Sequence, residues 1–344
     1  MKGPDYPTVS VIMPVRNEAD FIERSLRSVA TSTYPKDRFE VLVVDGMSDD
    51  GTREVVTRLA REFPNVRLLD NPQRFVSQAM NAGIRAARGD IIVRVDGHAL
   101  VVPSFLAESV RLLLAHPECW CAGGTIETVA HGLWGRVIAA ALATPLGAGN
   151  AMFRRGGYEG YVDTLAFGAY WRWVFDRVGL FDEELVRNQD DELNARIIAA
   201  GGRIYMSSQI RTEYYARLSL GKLWRQYYQY GFWRIRTIQK LGRPAAVRQV
   251  VPLAFVGALA LAVAAAFIGS TGRLLLAAFA SAYGIALAVG TCMVVRRVGW
   301  RASGLAFVVF LVLHFAYGLG SWRGVLAFAL LRHRAPRSMT LPSR

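Results

Sequence analysis

Three short stretches carry side chains that could do chemistry together. In VVDGMSDDGT, Asp45 closes an apolar run and opens a turn-rich segment. A carboxylate at the end of a buried strand can accept a hydrogen bond from a base N–H or a ribose hydroxyl, so Asp45 is a candidate ligand contact. Asp49 and Asp50 stand just before a helix expected from Thr52, where capping is the better use for them. In DIIVRVDGHA, Asp96 and His98 sit two residues apart around Gly97. A carboxylate and an imidazole in one turn can reach one divalent cation, and such a cation would bridge a nucleotide's two phosphates and offset the charge that develops as they leave. Taken alone, the same triplet also reads as a strand running into an ordinary turn. In NQDDEL, Asp190, Asp191 and Glu192 open a helix. Acids there complement the helix dipole. One carboxylate in a cleft can also serve as a general base that takes a proton from a sugar hydroxyl.

The elements around these stretches put them at one edge of a sheet. Val9–Pro14, Phe39–Val44, Val66–Leu69 and Asp90–Val95 read as short buried strands. Between them, Asp20–Thr31, Thr52–Phe63 and Val76–Ala87 have apolar residues at helical spacing. This alternation predicts an α/β, Rossmann-like, mostly parallel sheet with helices on both faces. Ligands of such sheets sit beyond the carboxyl ends of the strands, and Pro14, Asp45 and Asp96 fall at three of those ends. Leu133–Tyr170, rich in Gly, Ala and aromatics, reads as loops and a short sheet extension. Asp190–Ala200 reads as a helix closed by Gly201–Gly202.

Charge divides the chain. Of 41 basic residues in the 344, 17 follow Glu213, the last acid, which leaves 24 basic against 27 acidic residues before it. The front is therefore faintly acidic. The net charge of +14 belongs to a basic, apolar back that suits anionic lipid, not nucleic acid. Residues 250–269, 274–295 and 302–320 are each long and apolar enough to cross a ~30 Å hydrocarbon core as a helix. The division expected is a catalytic domain over 1–240 and a membrane domain over 241–344. The segment 223–233, LWRQYYQYGFW, would either lie in the membrane interface over an acceptor site or pack as a helix beneath the domain. Cys119, Cys121 and Cys292 have no metal-ligand spacing and are expected as reduced structural thiols. No signal peptide is expected from MKGPDYPTVS.

Together these motifs resemble the family-2 glycosyltransferases of the glycosyltransferase A fold, over roughly residues 8–240. VSVIMPVRNEADFIERSLRSV is similar to that family's first strand and helix, VVDGMSDDGT to its nucleotide-binding turn, NPQRFVSQAMNAGIRAARGDIIVRVDGHA to its Asp-x-Asp metal motif, and QDDELNARIIAAGGRIY to the segment carrying its base. DGHA, CAGG at 121–124 and HFAYGLG at 314–320 further resemble succinoglycan-type exopolysaccharide glucosyltransferases. The resemblance implies that Pro14, Arg16, Glu18, Asp45 and Asp96 hold a nucleotide-sugar donor, that Asp96 and His98 hold Mn²⁺ or Mg²⁺, and that Asp190 is the base of an inverting displacement. His98 replaces the motif's second acid, which favours Mn²⁺ over Mg²⁺. Gln189 stands where the family often has Glu.

The expected acceptor is a lipid-linked glycan, with UDP-glucose as the example donor and membrane lipids as further partners. The expected setting is a bacterial inner membrane, crossed more than once, with the catalytic domain in the cytoplasm. Arg243 and Arg248 before the first segment and Arg296, Arg297 and Arg301 after the second lie on one side if those segments form a hairpin. Residues 302–331 could then cross once, with an interfacial helix, or turn back at 320–324. A polyprenyl-phosphate sugar synthase and a membrane-tethered nucleotide-sugar-binding protein are the competing readings. A processive polysaccharide synthase fits less well, because its Gln-x-x-Arg-Trp signature is missing.

Overall fold

The computed structural model describes residues 6–149, 151–215, 219–331 and 335–340. Arg217, Arg332, Arg334 and Arg344 of the expected basic tail lie outside the described residues, as does the side chain of Arg337. In chain order the first elements are β1 (Val9–Val15), α1 (Ile22–Ala30), β2 (Phe39–Asp45), α2 (Thr52–Glu62), β3 (Val66–Asp70), α3 (Val76–Ala86), β4 (Ile91–Arg94), β5 (Ala99–Val101), α4 (Phe105–Ala115) and β6 (Cys119–Val129). Then come α5 (Gly132–Leu142), α6 (Pro145–Ala148), α7 (Met152–Arg155), β7 (Gly160–Tyr161), β8 (Gly168–Trp171), α8 (Trp173–Val178), α9 (Gln189–Ala199) and β9 (Arg203–Tyr215). The last long helices are α10 (Leu220–Leu241), α11 (Val251–Ala266), α12 (Ser270–Val298) and α13 (Ser303–Gly324).

The chain forms two compact units, one of Met1–Glu127 with Arg155–Tyr215, the other of Thr128–Arg154 with Ala216–Arg344. This differs from the expected division at residue 240. Residues 216–240 belong with the apolar helices because α10 packs along α13. Residues 128–154 join them because Val137, Ile138, Ala141 and Leu142 of α5 share one buried cluster with Leu287, Val309, Phe310 and Leu313.

The first unit is built on one sheet in the order β3-β2-β1-β4-β8-β6-β9-β5, with β7 beside β9. β3, β2, β1 and β4 run parallel, as the strand–helix alternation requires. The sheet then becomes antiparallel at β8 and β6, so four of its nine strands form the parallel part. Val9–Met13 and Val41–Val44 are buried almost completely, which fits their continuous apolar runs. α3 packs onto β1 and β2 at Gly83, where a Cβ would stand 2.5 Å from Ile12 Cγ2. The CAGG stretch serves packing of the same kind. A Cβ on Gly123 would meet the Phe167 carbonyl at 2.8 Å, and one on Gly124 would overlap the Ile210 carbonyl.

The second unit contains no Asp or Glu. Among the described residues two of its helices are long and apolar enough to cross a membrane, Ser270–Val298 and Trp300–Leu330. The latter runs on from α13 through a π-helical turn at Val325–Leu330, so the turn-back considered at 320–324 does not occur. α11 is shorter than its expected segment. Its 16 residues span about 24 Å, less than a ~30 Å core. α10 takes up the 223–233 segment and presses on α13 at close range. A Cβ on Gly231 would strike the Tyr317 carbonyl, and one on Gly320 the Tyr228 carbonyl. The stretch read as loops from Leu133 in fact begins with α5, whose Ala- and Gly-rich sequence weakens the periodic signal.

Candidate active site

Strand register brings the three expected strand ends together. Val15 on β1 pairs with Asp45 on β2, and Ile12 on β1 with Arg94 on β4. Val95 N–H then donates to the Ile12 carbonyl at 3.1 Å, which sets Asp96 beside the end of β1. Pro14 faces Val44 across the same edge.

The loop after β1 is locked to the loop after β2. Asn17 takes the left-handed conformation at φ 54° and Met47 at φ 57°, an arrangement that persists only where surroundings over-determine it. Here they do. Asn17 N–H donates to Ser48 Oγ at 2.9 Å, its Nδ2 donates to Asp49 Oδ1 at 2.9 Å, and Asp49 N–H returns a bond to Asn17 Oδ1 at 3.1 Å. Asp49 therefore ties loops together and does not cap α2. Asp50 does serve the helix start, accepting from Thr52 N–H at 3.0 Å, and also from Ala19 N–H at 3.0 Å. The Arg16 stem lies over Gly46, where a Cβ would stand 3.2 Å from Arg16 Cβ.

Asp45 is fully buried. Its carboxylate accepts from Ser48 N–H at 3.0 Å, from Ser48 Oγ, and from Arg53 Nη1 at 2.8 Å, while Arg53 Nη2 reaches Asp70 at 2.8 Å. The sequence reading missed Ser48 and Arg53, which hold this carboxylate in place. Arg53 lies eight residues on, in the first turn of α2, where it reads as an ordinary surface cation.

The DGH turn is held from three sides. Ser25 Oγ of α1 donates to the Ala99 carbonyl at 2.7 Å and lies 3.2 Å from that of Asp96. Tyr215 N–H at the end of β9 donates to the His98 carbonyl at 3.1 Å. Gly97 lies against Val15, whose Cγ1 would be 2.7 Å from a Cβ there. The His98 ring is buried, edge-on to Tyr214 with centroids 4.6 Å apart. Its Nδ1 is 3.0 Å from Glu18 Oε1. A carboxylate on Nδ1 fixes the tautomer with the proton there, and Nε2 becomes the ring's acceptor atom. Glu18, expected at the nucleotide, lies against His98.

Asp96 is paired with Arg94, whose Nε is 2.9 Å from Oδ1 and whose Nη2 is 3.4 Å from Oδ2. Among the described residues no group of three or more His, Cys, Asp or Glu side chains could hold a metal by itself. Asp96 and His98 fit a cation of another kind, one bound by one or two protein groups and chiefly by ligand phosphates. The Glu18–His98 pair is the outer-shell arrangement such a ligand needs.

α9 begins at Asn188, in the left-handed conformation at φ 62°. Asp191 accepts from Thr164 Oγ1 at 2.7 Å, and Asn194 Nδ2 braces the same hydroxyl at 3.0 Å. Glu192 pairs with Arg196 at 2.7 Å. Asp190 accepts from Asp191 N–H at 3.0 Å and lies within the field of Arg94. Burial, reinforced by the Asp191 charge, holds the Asp190 carboxyl above its ordinary range, and Arg94 pulls it back. Asp190 is the residue of this turn expected from the sequence as the base.

The model of glycosyl transferase family 2 matches residues 10–177. The succinoglycan biosynthesis protein ExoA of Rhizobium meliloti is 31% identical over 338 residues, which covers 92% of this chain and 95% of that protein. This chain belongs to glycosyltransferase family 2. A second relative of this glycosyltransferase, from Methanococcus voltae, is a dolichyl N-acetyl-alpha-D-glucosaminyl phosphate 3-beta-D-2,3-diacetamido-2,3-dideoxy-beta-D-glucuronosyltransferase. It is 29% identical over 65% of this chain and 71% of its own length. Among solved structures, the mannosyltransferase PcManGT of Pyrobaculum calidifontis, in complex with GDP-Man and Mn²⁺, superposes with a TM-score of 0.62 at 23% identity. The match covers 91% of this chain and 88% of that one. The fold is that of the glycosyltransferase A nucleotide-sugar transferases, with its sheet parallel at one side and mixed at the other.

Proposed function

We propose that this glycosyltransferase moves a sugar from a nucleotide-diphosphate sugar to a lipid-linked saccharide in exopolysaccharide or surface-glycan synthesis, with inversion at the anomeric carbon. UDP-glucose is the first donor to test. The observation that carries this reading is the division of labour at α9, where Asp191 accepts from Thr164 and burial holds the Asp190 carboxyl above its ordinary range. Near full-length similarity to a succinoglycan biosynthesis protein supports the pathway class. The dolichyl-linked substrate in the name of the Methanococcus voltae relative supports a lipid-linked acceptor.

In this mechanism Asp190 takes the proton of an acceptor hydroxyl as that oxygen attacks the anomeric carbon. The bond from that carbon to the nucleotide diphosphate breaks, and the electron pair leaves with the phosphate. One displacement inverts the centre, with no covalent enzyme intermediate. Pro14, Arg16 and Asp45 line the nucleotide end, and Glu18 orients His98. Asp96 and His98 would hold a divalent cation, Mn²⁺ favoured over Mg²⁺, which when bound neutralises charge on the leaving diphosphate.

The catalytic unit works at the cytoplasmic face of the inner membrane, where nucleotide sugars are made, and the apolar helices anchor it there. A reporter fused at the N-terminus and found outside the cell would overturn that orientation. For the reaction itself, membranes are supplied with each labelled nucleotide sugar in turn and lipid products are extracted. The expected product carries a glycosidic bond. A sugar phosphate ester of the lipid identifies a polyprenyl-phosphate sugar synthase instead, and no transfer from any donor overturns the enzyme reading.

A further inference from the structure

The inserted residues 128–154 do not have the composition of a surface loop. Arg136 is followed by 17 residues, 137–153, that carry no charge, and the run closes on Arg154 and Arg155. Both ends of the insertion continue into the first unit, at Glu127 and Arg155, so it leaves and rejoins that unit on one side of a membrane. An uncharged run broken into short helices and basic at both flanks suits entry and exit on one face. Trp134 and Arg136 are exposed at the start of α5. Those two residue types favour the level of the lipid headgroups.

α5 packs beside lengths of α12 and α13 that also turn apolar side chains outward. Val137, Ile138, Ala141 and Leu142 share their buried cluster with Leu287, Val294, Val309 and Phe310. On neighbouring turns Val289, Phe307 and Val308 are exposed, as in a helix with protein on one side and acyl chains on the other. The break between α5 and α6 is satisfied from within. Thr144 is buried, and its Oγ1 donates to the Ala141 carbonyl at 2.7 Å and accepts from Gly147 N–H at 3.1 Å. The Leu146 side chain seats on α12, where a Cβ on Gly290 would stand 2.5 Å from its Cδ2.

The Leu146 carbonyl is taken by His314 of α13, whose Nε2 lies 2.9 Å from it, and His314 Nδ1 is 2.9 Å from the Tyr283 hydroxyl of α12. A carbonyl only accepts, so the ring proton is on Nε2, and Nδ1 accepts from Tyr283. His314 stands eleven residues on from Ser303, ~16 Å along the helix and about halfway through a ~30 Å hydrocarbon core. A polar ring at that depth is costly unless paired, and broken helix is tolerated there only where protein satisfies its backbone. The Tyr283–His314–Leu146 chain meets both demands, and it gives the HFAYGLG stretch a task.

We propose that residues 132–149 form a re-entrant membrane segment: α5 and α6 enter the acyl-chain region of the bilayer beside α12 and α13, turn at a point held by Tyr283 and His314, and leave on the face they entered. The partner of their outward side is lipid. A piece of chain inserted between β6 and β7 then anchors the protein alongside the C-terminal helices. This rests on the reading of α12 and α13 as membrane-spanning.

The test uses the full-length protein with Cys292→Ser in nanodiscs of phosphatidylethanolamine and phosphatidylglycerol, carrying one nitroxide-labelled cysteine at a time. Cys119 and Cys121 are buried and stay unlabelled. His131, Pro145 and Val289 are exposed, so a label there disturbs little packing. Relaxation of the label by oxygen, which concentrates among acyl chains, is compared with relaxation by a water-soluble nickel chelate. Pro145→Cys should match Val289→Cys, with oxygen the stronger relaxer, and His131→Cys should show the reverse order. A label at 145 that behaves like the one at 131, while the label at 289 lies among acyl chains, overturns the re-entrant segment. Labels at 145 and 289 both in water overturn the membrane reading on which it rests. The second arm keeps the label at 145 and adds His314→Leu. The label should shift toward the chelate, Tyr283→Phe on top should move it no further because the hydroxyl acts through the ring, and His314→Gln, which keeps a donor, should restore it. A label unmoved by His314→Leu overturns the role of the ring. If His314→Leu does not fold, recovery of the wild-type label profile in His314→Gln supports that role, and failure of His314→Gln overturns it.

Discussion

Glu18 Oε1 lies 3.0 Å from His98 Nδ1, with both side chains buried, so the loop after β1 fixes a ring carried by the loop after β4. Removing the carboxylate charge while keeping its shape should loosen and weaken the ring as a ligand. Glu18→Gln is expected to need about 10–100-fold more Mn²⁺ for half-maximal activity, read from activity against Mn²⁺ concentration. An unchanged Mn²⁺ dependence would mean that Glu18 does not act through His98.

Chelation is the coarser test of the same site. EDTA should abolish transfer, and Mn²⁺ should restore it at least as well as Mg²⁺ because one ligand is a nitrogen. Full turnover in chelator would remove the cation from the proposed mechanism.

Asp190→Asn is expected to lower kcat by about 10²–10⁴ with nucleotide binding retained, whereas Asp191→Asn should be the milder change. The same substitution should stabilise the protein at neutral pH. The Asp190 carboxyl is raised in the folded state. Its contribution to stability is therefore fully present below the unfolded carboxyl range and is lost as pH rises through the higher folded value. Asparagine does not lose it. The difference in melting temperature between the variant and wild type should be positive at pH 7 and shrink as pH falls toward 4.

Arg53 holds a fully buried Asp45. Breaking a buried pair typically costs about 3–5 kcal/mol, but the Arg53 side chain is 33% exposed, so water replaces part of what is lost. Arg53→Ala should destabilise by about 2 kcal/mol, and Arg53→Lys by less. Denaturant melts of the two variants check the order.

Gly231 admits the Tyr317 carbonyl where a side chain would otherwise stand. Gly231→Val should force α10 from α13 and destabilise by about 1–3 kcal/mol, seen as a lower melting temperature in detergent. A variant as stable as wild type would show that the two helices can separate without loss.

Much of the parallel sheet, and the place of acids at its strand ends, was legible because each piece leaves a local mark. Continuous apolar runs gave β1, β2 and β4, and the acids closing or following two of them gave Asp45 and Asp96. What was not legible depends on distance in the chain. The contact of Glu18 with His98 appears only once β1 and β4 pair. α5 has no strong periodicity because Ala and Gly make up much of its length, and the helices that cover Val137 and Ile138 come much later in the chain. Arg94 did leave a signal, a lone cation inside DIIVRV two residues before Asp96. An arginine in a buried strand must have a reason, and here it forks onto the Asp96 carboxylate.

The insertion of residues 128–154 has a consequence for how the protein is made. α5 leaves the ribosome well before α12 and α13, which later cover Val137, Ile138 and Ala141. During synthesis those side chains need a temporary shelter, such as lipid or a chaperone, and the sheet meanwhile waits for β8 and β9. The polypeptide passes from one unit to the other three times. A cut after residue 215 therefore does not release a finished catalytic module, because it strands α5 without its cover. The two units are bound to be inherited, expressed and inserted as one object.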